Sequence, residues 1–223
     1  MGAFGGPDII TDGLVYAMDA GSARSYDGTT TLNDLVGSNT GTLTNGVTYQ
    51  SINGGVFDFD GTDDYINMGT GLLNIQNASF TLSTWIKWDG GSEDTFFGYN
   101  YASAPKQNIH WRIYAYGLLR FDFYSNSINS AVGAIVADEW VNLTVTFNYT
   151  TTTTKCYKNG TLLMQGNVGP FTGIDASSTA TIGSWGTNGQ YYGGAIPCFK
   201  AYNKTLTAAE VLQNYNAQKN RFI

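Results

Sequence analysis

Two segments of this chain alternate at most positions between apolar and polar side chains, as β-strands with one buried face do. In Trp140–Tyr149 every second residue from Val141 is apolar, and the residues between them are Asn or Thr. In Ser79–Trp88 the side chains of Phe80, Leu82, Ile86 and Trp88 fall on one face. A period of two residues cannot line one face of a helix, so both segments predict sheet structure.

Shorter segments extend the strand pattern over most of the chain. Asn159-Gly160 suits a type I′ turn between two of them, and the 28 glycines fit many tight turns. Gly21–Asn45 is expected to be mostly loop. The other predicted strands are Leu14–Asp19, Val56–Asp60, Tyr65–Met68, Asn108–Tyr116, Leu119–Ser125, Lys155–Lys158, Thr161–Met164, Thr179–Ser184 and Ala195–Asn203.

The segments 108–116 and 119–125 predict a hairpin around Gly117. With a loop of Tyr116–Leu118, Ala115 opposes Leu119 and the apolar positions of the two strands match. The same register places Arg112 opposite Asp122, an attractive cross-strand pair.

One helix is predicted, after the last strand. Thr207 and Glu210 form a capping box, and Val211, Leu212 and Tyr215 follow at helical spacing. The whole pattern predicts an all-β sandwich of two antiparallel sheets with a short C-terminal helix. We expect a flexible Gly-rich arm over residues 1–12 and one domain over residues 13–223.

Composition excludes several classes of protein. The net charge of −6 and the pI near 4.5 argue against a nucleic-acid partner. No apolar segment approaches the ~20 residues that a membrane helix needs, and the N-terminus lacks signal-peptide features, so we expect synthesis in a cytoplasm and no membrane partner. Cys156 and Cys198 are expected to be buried, reduced thiols.

Four separated motifs resemble one family. They are Asp19-Ala20-Gly21, FDGTDDYI at residues 59–66, Tyr157-Lys158-Asn159-Gly160 and AYNKTLTAAE at residues 201–210. Together they resemble the laminin G-like, concanavalin A-like lectin/glucanase jelly-roll domains. That resemblance implies the jelly-roll fold from about residue 14 to the end.

The segment LTAAEVLQNYNAQKNRF at residues 206–222 is similar to the ends of such domains in structural proteins of tailed bacteriophages, especially cyanophages. The resemblance implies a non-enzymatic virion protein, either a head decoration or a tail or fibre component. Its partners would be other virion proteins, further copies of itself and a host-surface glycan. The alternative is a host-adhesion lectin module, with or without a calcium requirement.

Glycan binding needs aromatic rings beside hydrogen-bonding groups, and two regions offer both. A subunit contact is the alternative use of the same residues, since Tyr and Trp are also enriched at interfaces. The candidates are His110, Arg112, Tyr114, Asp122 and Tyr124 on the hairpin, and Trp185, Asn188, Tyr191 and Tyr192 near the last strand.

Calcium is the only metal that the sequence suggests. Asp60, Asp63 and Asp64, with Asp19, offer hard oxygen ligands. The favoured alternative is a turn in which these carboxylates accept backbone N–H groups. In related domains the last strand often carries an acid, where this chain has Ile196-Pro197-Cys198, which argues against a shared calcium site.

Catalysis is not expected. Retaining glycosidases need two carboxylates about 5 Å apart, whereas the three glutamates Glu93, Glu139 and Glu210 lie on separate elements. His110 has no nucleophile near it in a recognisable pattern, and we expect a strand histidine there. We also expect no cofactor.

Overall fold

The structure is a computed structural model, and it describes residues 7–72, 77–99, 108–123, 126–168, 178–186 and 189–223. These residues form sixteen strands and one α-helix. The first eight strands are β1 Leu14–Asp19, β2 Thr31–Asn33, β3 Thr40–Thr44, β4 Thr48–Gln50, β5 Val56–Asp60, β6 Tyr65–Thr70, β7 Phe80–Trp88 and β8 Glu93–Tyr99. The rest are β9 Ile109–Tyr114, β10 Leu118–Asp122, β11 Ser127–Asn129, β12 Trp140–Asn148, β13 Thr153–Lys158, β14 Thr161–Asn167, β15 Thr179–Ile182, β16 Gly193–Tyr202 and the helix α1 Ala208–Gln218.

The strands form two sheets of eight. Sheet A has the order β14-β13-β12-β7-β16-β5-β4, and β1 also pairs with β16. Sheet B has the order β11-β10-β9-β8-β15-β6-β3-β2. All pairs are antiparallel, and the apolar faces of the two sheets form one main core, as predicted for a sandwich.

The C-terminal segment covers the outer face of sheet A. Trp85 points away from the main core and stacks on Tyr215 of α1, with ring centroids 5.8 Å apart. Phe222 lies 4.5 Å from the same indole and 5.0 Å from the ring of Trp140. Strand β7 is therefore buried on both faces, although its sequence alternates.

Both cysteines are free and buried, which confirms that prediction. Cys156 lies in the main core, and Cys198 packs on the opposite side of sheet A against Trp85 and Phe222. Within the described residues, α1 is too short to cross a bilayer, and no other helix could do so.

The strand predictions hold for the strongly alternating segments, with β1 and β5 matching to the residue. The expected loop over residues 21–45 is wrong in part, because β2 and β3 lie there. Strands β4, β8 and β11 were also missed. Phe96 and Phe97 are both buried because β8 has a register shift between Thr95 and Phe97, which hides the alternation.

The predicted hairpin register is wrong by two residues. Tyr114 opposes Leu118, and Arg112 opposes Arg120 instead of Asp122. The turn centres on Tyr116, whose φ is 65°. The next residue, Gly117, lies directly against the carbonyl of Ile135, where there is no room for a side chain, and this contact fixes the position of the turn. A shift of two keeps every side chain on its predicted face.

The capping box is confirmed, with both reciprocal hydrogen bonds between Thr207 and Glu210. The predicted apolar face is corrected at Leu212, which is exposed, whereas the buried residues of α1 are Val211 and Asn214. Asn214 accepts the Ile10 amide at 2.7 Å and donates to the Tyr202 hydroxyl at 3.0 Å.

Part of the predicted N-terminal arm packs on the domain. Ile10 packs beside Tyr202 and Val211, and Asp12 pairs with Lys204 at 2.6 Å. Residues 8–12 are therefore part of the folded body, while residues 1–6 lie outside the described residues.

We predict that Phe222→Ala lowers the free energy of unfolding by about 3 kcal/mol, because it empties the space between Trp85 and Trp140. Leu212→Ala is the control, since that side chain is exposed, and it should cost less than about 1 kcal/mol. Urea unfolding of both variants measures the difference. Equal losses would show that the C-terminal segment does not close sheet A in this way.

Candidate functional site

A row of polar residues and glycine crosses the outer face of sheet B. In register, Asp122 opposes His110, His110 opposes Gly98, and Gly98 opposes Thr181. Thr181 in turn opposes Asn67 of β6. The apolar neighbours in each strand face the core, so alternation alone places this polar row outside.

The segment after β15 covers the middle of that row. A Cβ at Gly98 would lie 2.7 Å from the carbonyl oxygen of Ser184, so only glycine lets this segment lie flat on the sheet. Thr181 Oγ1 donates to the same carbonyl at 2.8 Å. Gln190 anchors the far end, since its carbonyl accepts the Thr95 amide at 3.2 Å.

His110 is buried under this segment and stacks on the Trp185 ring, with centroids 4.5 Å apart and planes 15° from parallel. Its Nε2 lies 2.6 Å from Thr95 Oγ1. Burial, followed by the positive charges of Arg112 and Arg120, lowers the pKa of His110 to about 2. The imidazole is therefore neutral and structural, and it does not meet solvent as a glycan ligand would.

A compact charged cluster lies beside His110. Asp122 accepts from Arg120 at 2.9 Å and from Arg112 at 3.3 Å. The guanidinium carbon of Arg112 lies 4.4 Å from the centroid of the Tyr114 ring. Arg112 and Asp122 are buried, so they hold the hairpin together, and Tyr114 is the partly exposed member.

The structure brings together the two predicted glycan regions through the contact of His110 with Trp185, but it buries four of the seven described candidates. Tyr192 is completely buried between Phe59 and Phe96, which corrects its prediction as a surface residue. Trp185 and Tyr191 are partly exposed. Tyr124 and Asn188 lie outside the described residues.

An open cleft of about 430 Å³ lies next to this face, at one end of the sandwich. It runs between the sheets, since Asp60 and Gly193 belong to sheet A and Glu93 belongs to sheet B. Gln190 joins the cleft to the charged cluster by accepting from Arg112 at 3.1 Å and donating to Glu93 at 3.2 Å. The lining residues are Asp60, Gly61, Asp89, Gly91, Ser92, Glu93, Asp94, Gln190, Tyr191 and Gly193.

Asp94 forms the inner wall of the cleft. Its side chain points between the sheets, where it accepts a hydrogen bond from the Trp88 indole, and the residue is 6% exposed. Burial raises the pKa of this carboxyl, the hydrogen bond from Trp88 lowers it, and the negative charge of Asp89 raises it. The result is a pKa of about 6. The carboxyl thus links sheet A to sheet B and titrates in mildly acidic solution.

Two further clefts of about 380 Å³ differ in what they offer. One lies beside the start of α1, where its only ring, that of Tyr157, is buried. The other lies beside β3 and contains Tyr26, which packs on Tyr49 and Phe57. The end cleft joins a partly exposed ring, Tyr191, to several carboxylates and an amide, so it is the stronger candidate for a polar ligand.

The predicted acidic cluster is present at the turn after β5. One carboxylate oxygen from each of Asp60, Asp63 and Asp64 lies within 4.8 Å of the others. Asp60 accepts the Thr62 amide at 2.8 Å, and Asp64 Oδ2 accepts the Asp60 amide at 3.1 Å, so these oxygens already stabilise the turn. The remaining oxygen of Asp64, Oδ1, is buried without a hydrogen-bond partner among the described residues, which is the feature that fits a cation.

Asp19 does not belong to this cluster, which corrects the predicted calcium set. Both of its carboxylate oxygens accept from Arg221 Nη1 at 2.8 Å. Arg221 also donates to backbone carbonyls of Asn53 and Gly55, so Asp19 ties the C-terminal segment to the turn before β5.

The chain matches, over residues 60–212, the family model described as the concanavalin A-like lectin/glucanases superfamily. It therefore belongs to this superfamily, and the predicted laminin G-like jelly roll is confirmed. No curated protein sequence matches it.

Similar solved structures include domain 4 of AbnA, a GH43 extracellular arabinanase from Geobacillus stearothermophilus, in complex with arabinotriose. It is 18% identical with a TM-score of 0.69, over 91% of this chain and 98% of that domain. The binding domain of botulinum neurotoxin DC in complex with SialylT is 19% identical with a TM-score of 0.70, over 93% of this chain and 52% of that one. The sialidase of Trypanosoma rangeli is 14% identical with a TM-score of 0.74, over 97% of this chain and 35% of that one. At these identities the likeness shows the fold.

Sequence reasoning named Tyr191 but missed most of the cleft around it. The lining residues lie in three short segments, 60–61, 89–94 and 190–193, that carry no shared motif. The one available signal was the density of acids after β7, where Asp89, Glu93 and Asp94 fall within six residues.

We predict that Asp94 makes the protein less stable as the pH rises from about 4 to about 6. The pKa of this carboxyl is raised to about 6 in the folded protein, so on raising the pH the unfolded chain loses the proton first. The rise in pH therefore favours the unfolded state, by up to about 3 kcal/mol. Asp94→Asn should remove this fall. Urea unfolding from pH 3.5 to pH 7.5 tests it, and a variant that keeps the full pH dependence would contradict it.

Proposed function

We propose that this domain binds carbohydrate at the end cleft and catalyses no reaction. The observation that carries the proposal is the partly exposed ring of Tyr191 beside the carboxylates of Asp60 and Glu93 and the amide of Gln190. A sugar offers an apolar ring face for stacking and hydroxyl groups that donate to carboxylates. Clefts of about 300–1,000 Å³ with a few convergent polar groups are typical small-ligand sites.

The family and its neighbours support this proposal. The arabinanase domain was solved with arabinotriose and the neurotoxin binding domain with SialylT. Since the chain covers nearly all of the arabinanase domain, a jelly roll of this size can exist as a separate module within a larger protein.

The contacts of the cleft carboxyls support a binding role over catalysis. A carboxyl of raised pKa beside an ionised one can form the acid and nucleophile of a glycosidase. Asp94, however, is almost fully buried and holds the Trp88 indole, and Glu93 is engaged with Gln190. Incubation with β-glucan is expected to release no reducing ends.

We predict that Tyr191→Ala weakens glycan binding at least tenfold, because the stacking surface is lost. Tyr116→Ala is the control, since that ring is 82% exposed on the hairpin turn and does not line the cleft. A glycan array followed by calorimetry on the best ligand measures both. If the two variants bind equally well, the site does not lie in this cleft.

The resemblance of residues 206–222 to phage structural proteins favours a second proposal, that the domain is part of a virion. This segment closes the outer face of sheet A, and α1 displays Leu212 to solvent. Neighbouring copies or other virion proteins would be its partners, and glycan binding would serve attachment to the host.

We predict that the protein copurifies with phage particles. Immunogold labelling and quantitative mass spectrometry measure its position and its copy number. Many copies on the head indicate decoration, and three or six copies at the tail indicate a fibre or an adhesin. Recovery only in the free protein fraction would reject the virion proposal and leave carbohydrate binding untouched.

A further inference from the structure

The end cleft carries unbalanced negative charge. Four carboxylate side chains line it, and none of its described lining residues is Lys, Arg or His. The ion pairs of the described residues use other acids. The four carboxylates are those of Asp60, Asp89, Glu93 and Asp94.

The groups around the cleft respond to this charge. The pKa of the Asp94 carboxyl is raised first by burial and also by the negative charge of Asp89. Lys87 is the cation that acts nearby, on Asp58, but its ammonium faces Asp138 at 3.7 Å. The described residues that line the cleft therefore include no cation, and Arg112, which contacts the lining residue Gln190, is paired with Asp122.

A buried hydroxyl without a partner lies behind the same wall. Tyr192 is completely buried, and its hydroxyl makes no hydrogen bond to another described residue. Burial raises the pKa of this phenol well above its usual value, and the negative charges of Asp94 and Asp89 raise it further. Its two sequence neighbours, Tyr191 and Gly193, both line the cleft, whereas the Tyr192 ring packs behind them between Phe59 and Phe96.

The spacing of the acids favours an organic cation over a metal ion. The group of acids that converges within 4.8 Å in the described residues is Asp60, Asp63 and Asp64, at the turn. Asp89, Glu93 and Asp94 do not join it, although they line the same cleft as Asp60. A metal ion needs ligand oxygens that converge on one point. Carboxylates spread around a cleft of about 430 Å³ instead suit a sugar-sized ligand that carries a positive charge at one edge of its ring.

We infer that the cleft selects amino sugars, meaning glycans with a protonated primary amine, over neutral N-acetylated sugars and over acidic sugars. This inference rests on the proposed function, because it names the ligand class of the same cleft. An ammonium group makes charge-assisted hydrogen bonds to carboxylates that a neutral acetamide cannot make. The same carboxylates repel the acid groups of sialic and uronic acids, which gives discrimination against them.

The test is calorimetry at pH 6 in EDTA with two ligands of equal length, the glucosamine tetramer and the N-acetylglucosamine tetramer. The amino form is expected to bind at least about tenfold more tightly, which corresponds to ~1.4 kcal/mol. Raising the salt concentration from about 0.05 to 0.5 M should weaken the amino form and leave the acetylated form unchanged.

Variants connect the preference to the cleft. Asp89→Asn should reduce the amino preference several-fold without changing the affinity for the acetylated tetramer. Glu93→Gln should weaken the binding of both tetramers, because Glu93 also accepts sugar hydroxyls in the proposed site, but it should weaken the amino form several-fold more. Asp27→Asn is the control, since Asp27 is an exposed acid in a turn with Thr29, outside the lining residues of the cleft, and it should have no effect.

The outcomes separate the inference from the proposed function. Equal or tighter binding of the acetylated tetramer, of a sialylated glycan, or of any glycan only when Ca²⁺ is present overturns the inference and leaves carbohydrate binding in place. Equal binding of tetralysine overturns it as well, because it would show recognition of charge without the sugar. If no glycan binds and Tyr191→Ala changes nothing, the proposed function fails too.

Discussion

Strand β16 lies inside sheet A, so its backbone N–H and C=O groups need hydrogen-bond partners on both edges. The arrangement of the neighbouring strands depends on this constraint. Strand β16 pairs with β7 along one edge and with β5 and then β1 along the other. Pro197 has no N–H to donate, and it lies where the register with β7 shifts between Ala195 and Cys198. Its carbonyl still accepts the Ala20 amide, so the first strand closes the gap.

The sequence predicted those parts of the fold that depend on residues close together in the chain. The alternation in β7 and β12 and the capping box of α1 are local, and all were confirmed. Strand β8 was missed because its register shift turns two adjacent phenylalanines inward. The hairpin register failed because the turn is fixed by a contact between Gly117 and Ile135, which only the folded chain brings together.

The candidate site shows the same limit. Sequence correctly placed His110, Arg112 and Tyr114 on the polar face of the hairpin. It could not show that a segment about 75 residues later covers His110, or that Gly98 exists to let it do so. The cleft is assembled from the ends of β5 and β7 and the starts of β8 and β16, and no single segment contains enough of it to form a motif.

The position of the cleft across both sheets has a mechanical consequence. Asp60 and Asp89 move with sheet A and Glu93 moves with sheet B, while Trp88 and Asp94 form the polar link between them. A ligand held by all of these groups would act as a clamp across the open end of the sandwich. Its binding free energy would then resist separation of the sheets, so a domain pulled while attached to its target would be hardest to unfold when it is occupied.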